Sequence, residues 1–111
     1  MRLRELQAQA FNASKAKGFH STEKLDEWKA LALLHTEVSE AIEEVRKPDY
    51  EPTRTYYRED GKPEGLPSEL ADVLIRVCDT AGALGIDLET AISEKMAFNA
   101  TRPPRHGGKR A

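Results

Sequence analysis

Four carboxylates in this chain have a spacing suited to cation chemistry: Glu37 and Glu40, then, after twenty-eight intervening residues, Glu69 and Asp72. Each pair is spaced i, i+3, so its members share one helical face. The flanking segments echo each other, EVSEAIEEVR from Glu37 and ELADVLIRVC from Glu69. Acids on an ordinary solvated helix are usually answered by a lysine or arginine four residues on. Here Ala41 follows Glu37 and Val73 follows Glu69 at that spacing, although Arg76 does follow Asp72. Two carboxylates about 4 Å apart repel by roughly 4 kcal/mol at an effective dielectric near 20. Four converging acids are therefore stable only when spread into water, protonated, or bridged by a cation. Oxygen ligands without His or Cys select a hard ion, Mg²⁺ with Mn²⁺ as substitute, over zinc. The Glu-x-x-His signature of di-iron bundles does not occur in the sequence.

Helical geometry says how such acids could meet. At about 100° per residue, with Glu37 at zero, Leu31, Leu34, Val38, Ile42 and Val45 form an apolar stripe between about 60° and 140°. Glu37, Glu40 and Glu44 form an acidic strip beside it. With Glu69 at zero, Leu70, Leu74, Val77, Ala81 and Leu84 fill the same apolar arc, and Glu69 and Asp72 take the acidic place. Two helices with one offset between stripe and strip can pack antiparallel through their apolar faces. Their carboxylates would then line one edge of the seam.

The elements that must position these residues are legible as an all-α fold with four helices. Leu3, Leu6, Ala10 and Phe11 have helical spacing, and Gly18 marks a stop. Ser21 or Thr22 can cap a second helix, with Glu23 and Asp26 near its positive end, running to about Lys47 before Pro48. Residues 49–65, rich in Pro, Gly and charge, read as a long connection, functional or mobile, from which Tyr56 and Tyr57 could fold back. A third helix starts near Pro67 and ends around Gly82 to Gly85. Asp87 caps a fourth, which ends near Ala100. Strand signals are weak.

The 111 residues suit a single domain, residues 1–111, with a basic, flexible tail at 103–111. A chain this small buries a limited fraction of its surface, which favours completion of the bundle by oligomerisation. With 17 basic and 19 acidic residues the net charge is −2, which argues against binding a nucleic-acid polymer through bulk charge. The single cysteine, Cys78, sits in an apolar helical pattern and reads as a core thiol. No segment has the length and apolarity of a membrane span or the apolar core of a signal peptide, so a cytoplasmic protein is expected.

The combination Glu37-x-x-Glu40 and Glu69-x-x-Asp72, followed by EKMAFNATRPPRHGGK, resembles the all-α nucleoside triphosphate pyrophosphohydrolases of the MazG-like superfamily. The resemblance covers roughly Leu31 to Lys109. It implies hydrolysis of a nucleoside triphosphate between the α- and β-phosphates, giving a monophosphate and pyrophosphate. It also implies Mg²⁺ held by Glu37, Glu40, Glu69 and Asp72, and assembly as homodimers or homotetramers. Some relatives carry two adjacent glutamates at the first motif, whereas this chain has Thr36 before Glu37, which leaves the general base unassigned.

The resemblance further assigns phosphate contacts to Lys95 and Asn99 and, with Arg102, to one face of the last helix at i, i+4, i+7. Ammonium and guanidinium groups suit phosphate oxygens. Arg105, His106 and Lys109 follow in the tail, where an intersubunit contact or disorder is expected. Relatives use aromatics before the acidic helix to stack the base, which makes Phe19, His20 and Trp28 candidates. Trp28 falls at the border of the apolar stripe and suits core packing equally. His35 reads as structural. Two other readings stay open: a phosphoribosyl-ATP pyrophosphohydrolase-like enzyme, and a helical docking protein with no turnover.

Overall fold

A computed structural model describes residues 2–20 and 25–103. Its elements are α1 (Leu3–Ala16), α2 (Glu27–Val45), β1 (Tyr56–Tyr57), β2 (Pro63–Glu64), α3 (Leu66–Leu84) and α4 (Leu88–Ala100). The fold is all-α, as its sequence patterning requires, with a two-residue antiparallel ribbon inserted between α2 and α3. In that ribbon Tyr56 pairs with Glu64 and Tyr57 with Pro63. The long connection is thus a turned-back hairpin, which weak strand propensity did not announce.

The helix ends follow local chemistry. α2 begins later than expected, because Asp26 is its cap and accepts a hydrogen bond from the Lys29 backbone N–H at 3.1 Å. The alternative caps Ser21 and Thr22 lie outside the described residues, as do Glu23 and the tail residues Arg105, His106 and Lys109. Asp87 caps α4 as expected, accepting from the Thr90 N–H at 3.2 Å. The Asp87 carboxyl lies below its usual range because Thr90 and then Arg4 donate to it. α3 starts at Gly65, with Pro67 in its first turn, and closes at Gly85 in the left-handed conformation.

α3 is the central element. It packs against α1 and against α2, and α4 in turn packs on α1. Arg4 of α1 ties the start of α4 by pairing with Asp87 and Glu89. The α1–α3 contact depends on Gly82, where an added Cβ would stand 2.7 Å from the Cβ of Phe11. Cys78 is fully buried, as expected of a core thiol, and burial pushes its thiol up from its ordinary value. Among the described residues no helix is long and apolar enough to cross a membrane.

One expectation fails. α2 and α3 do not meet through their apolar stripes. The buried residues of α2 are Ala41 and Glu44, and those of the upper half of α3 begin with Glu69. Leu31, Val38, Ile42 and Val45 are exposed, as are Leu70 and Leu74 on α3. The helices approach along the border between stripe and acidic strip, where the small Ala41 side chain permits contact. A helical wheel states which arc is apolar but not which partner covers it. Here the acids lie in the helix–helix seam, and exposed apolar side chains of both helices face outward.

Candidate metal centre

α2 and α3 run antiparallel, as their cross-contacts show: Arg76 meets Glu37 near the middle of α2, whereas Gly65 lies beside Glu44 near its end. That register sets Glu40 opposite Glu69. One carboxylate oxygen each from Glu37, Glu40 and Glu69 lies within 4.8 Å of the others. Asp72 stands outside this closest trio, yet its charge acts on Glu69. Three of the four acids singled out in the sequence therefore converge, and the fourth flanks them.

Glu69 is the distinctive member. It is only 8% exposed, and its Oε2 is buried with no hydrogen-bond partner among the described residues. Burial raises its pKa above the ordinary carboxylate value, and the charges of Glu40, Asp72, Glu64 and Glu44 raise it further. A buried carboxylate oxygen without a donor is costly. Its surroundings offer further carboxylates rather than an N–H. The donor set is all oxygen, which fits a hard divalent cation and leaves no soft ligand for zinc or copper.

A second trio shares Glu69. Oxygens of Glu44, Glu64 and Glu69 also lie within 4.8 Å of one another. Glu44 is differently placed from Glu69, because its oxygens are already engaged. It accepts from Lys47 Nζ at 3.0 Å and from the Tyr56 hydroxyl at 2.9 Å. Burial pushes the Glu44 carboxyl up, but the Lys47 and Tyr56 hydrogen bonds outweigh it and leave the group below its usual value. Lys47 is held protonated by Tyr56 and Glu44. This cluster fastens the end of α2 to β1, so Tyr56 folds back onto the helix, where it lines a cavity of about 480 Å³ with Glu44, Lys47 and Arg54.

The sequence-selected phosphate contacts are elsewhere. Lys95, Asn99 and Arg102 are exposed on or just after α4, the helix that packs on α1. The Arg102 guanidinium sits over the Phe98 ring at 5.9 Å. Within one chain they are not brought to the acids. Of the base candidates, His20 bonds Asp79 at 2.7 Å and stacks at a tilt on Phe11. Phe19 is exposed beside it. Both line a cleft of about 610 Å³ between α1, α2 and α3, together with Leu33, Asp79 and Arg76. Trp28 is 89% exposed and does not line this cleft, so it is not a core residue either. His35 and Tyr57 are exposed.

Three residues of the centre escaped the sequence reading as site members: Glu44, Glu64 and Arg76. Glu44 lies in the acidic strip of the α2 wheel, a signal that was present. Arg76 falls at the corresponding angle on α3. Nothing local marks Glu64, because the hairpin brings it in.

Converging carboxylates on two antiparallel helices, one of them buried without a donor, define a helical protein with an acid cluster that could hold a metal ion. The family described as MazG nucleotide pyrophosphohydrolase domain matches residues 26–106, from the α2 cap past the end of α4, and the chain belongs to that family. Comparison with curated proteins and with solved structures gives no match.

Proposed function

We propose that the chain is a Mg²⁺-dependent nucleoside triphosphate pyrophosphohydrolase that converts a (d)NTP to (d)NMP and pyrophosphate. Its role on this reading is housecleaning of the cytoplasmic nucleotide pool. The observation that carries the reading is Glu69 Oε2, buried and without a donor inside a carboxylate trio. Glu37, Glu40, Glu69 and Asp72 would hold the ion. When bound, Mg²⁺ neutralises phosphate oxygens and acidifies water for attack on phosphorus. The acids fix that charge in the α2–α3 seam, and a carboxylate of the set accepts the proton of the attacking water. The cleft beside the seam has a volume ordinary for a small ligand. His20 and Phe19 there supply one polar and one flat apolar contact for the nucleoside end.

The exposed apolar side chains of α2 and α3 support a homodimer or homotetramer. In such an assembly Lys95, Asn99 and Arg102 would reach the phosphates of the neighbouring chain's substrate. A panel of (d)NTPs assayed for pyrophosphate release with Mg²⁺ tests the activity. Glu40→Ala and Asp72→Ala should each reduce turnover at least about a hundredfold with helicity retained; near-normal turnover in either removes that residue from the set. Lys95→Ala should raise KM with little change in kcat. An unaltered KM would dismiss its phosphate contact.

A further inference from the structure

Arg76 belongs to two places at once. Its Nε donates to Glu37 Oε1 at 3.1 Å, a charge-assisted bond on the rim of the acidic trio. It also lines the cleft that holds His20, Phe19 and Asp79. The Glu37 carboxylate in this pair is only 12% exposed, whereas the Arg76 side chain is 52% exposed. The acid is fixed in the seam and the guanidinium is free to turn. Among the described residues Glu37 is the single acid it pairs with.

We propose that Arg76 is a triphosphate-contacting residue that occupies Glu37 in the metal-free protein and exchanges it for substrate phosphate when the cation binds. The proposal rests on the reading of the acid trio as a divalent-cation centre that takes a triphosphate. A guanidinium stays charged throughout the accessible pH range. A divalent cation that engages Glu37 therefore repels it strongly at this range, since like charges a few ångströms apart cost kilocalories even at intermediate dielectric. The displaced side chain can turn into the cleft, where Asp79 is already engaged by His20, and meet the phosphate of a ligand that spans the cation centre and the cleft. Its planar fork matches two phosphate oxygens. Arg76 thus keeps the empty centre from accumulating four unbalanced charges and adds affinity only when a polyanion arrives with the metal.

Substitution separates the two halves of this exchange. Arg76→Gln removes the competitor for Glu37, and the exposed position makes misfolding of this variant no obstacle. Mn²⁺ binding to the free protein, read by electron paramagnetic resonance, should tighten by about twofold to tenfold in Arg76→Gln. Binding of tripolyphosphate as its Mg²⁺ complex, read by calorimetry, should weaken by about tenfold or more. Arg76→Lys should retain most of the tripolyphosphate affinity as a point charge. Weaker Mn²⁺ binding in Arg76→Gln would overturn the proposal, showing that Arg76 merely holds Glu37 in place. Unchanged tripolyphosphate binding would overturn it as well. If the unsubstituted protein binds neither Mn²⁺ nor the tripolyphosphate complex, the cation centre itself fails and the proposal goes with it.

Discussion

Glu69→Gln should make the metal-free protein more stable while removing divalent-cation binding and turnover. Glu69 is buried, is surrounded by Glu40, Asp72, Glu64 and Glu44, and leaves Oε2 without a donor. Gln is nearly isosteric, carries no charge, and its amide can donate to the neighbouring carboxylates. Relief of an unsatisfied buried acceptor is worth about 1–3 kcal/mol. In a domain of this size each kcal/mol moves the Tm by roughly 4–8 °C. The gain depends on pH in a definite direction. The folded-state pKa of Glu69 is raised above its unfolded value. Between the two values the folded protein therefore holds the proton that the unfolded chain has lost, and ionisation above them works against the fold. The Tm advantage of Glu69→Gln should be small below the ordinary glutamate range and grow as pH rises through the raised value. Millimolar Mg²⁺ should raise the Tm of the unsubstituted protein and leave that of the variant nearly unmoved. Thermal melts of both proteins across pH, with EDTA and with Mg²⁺, give all four comparisons. A variant less stable than its parent at neutral pH without metal would mean that Glu69 is satisfied in the folded chain.

The same residues show what local sequence can and cannot carry. Glu37, Glu40, Glu69 and Asp72 were legible because i, i+3 spacing on two matched helices is a one-dimensional pattern. The α4 cap at Asp87 and the third helix near Pro67 were legible for the same reason. Which arc of each helix would be covered was not. Val38 and Ile42 look like core on a wheel, yet they are exposed, because burial depends on a partner that lies outside the helix. Glu64 was invisible as a member of the centre, and the place where Tyr56 folds back was not legible, for a related reason. Both are placed by a hairpin of two-residue strands, too short to leave a period in the sequence. Arg76 stands four residues after Asp72, and an arginine at that spacing looks like its own helix's ion pair. The structure pairs it with Glu37, across the seam.

That hairpin leads to the second large effect, at Gly65. Its backbone has φ 109° and ψ 170°, a region that residues with a side chain scarcely enter. A Cβ there would stand 2.5 Å from the Arg54 backbone oxygen. Because the obstacle is backbone, no rotamer change relieves it. Gly65→Ala therefore combines about 1–3 kcal/mol of conformational strain with a clash that must move the chain, and a Tm fall of roughly 10 °C or more is expected. The damage should not stop at stability. Gly65 is the cap of α3, and its carbonyl accepts the Glu69 N–H at 3.0 Å, so any shift passes in one turn to the buried carboxylate. Mn²⁺ affinity should fall together with the Tm. Gly61→Ala provides the matched control: Gly61 also has positive φ, at 87°, but nothing stands within 4 Å of an added Cβ. It should cost about 1 kcal/mol and leave Mn²⁺ affinity unchanged. If Gly65→Ala melted within a couple of degrees of Gly61→Ala and bound Mn²⁺ equally well, the hairpin would not be what sets Glu69 in the seam.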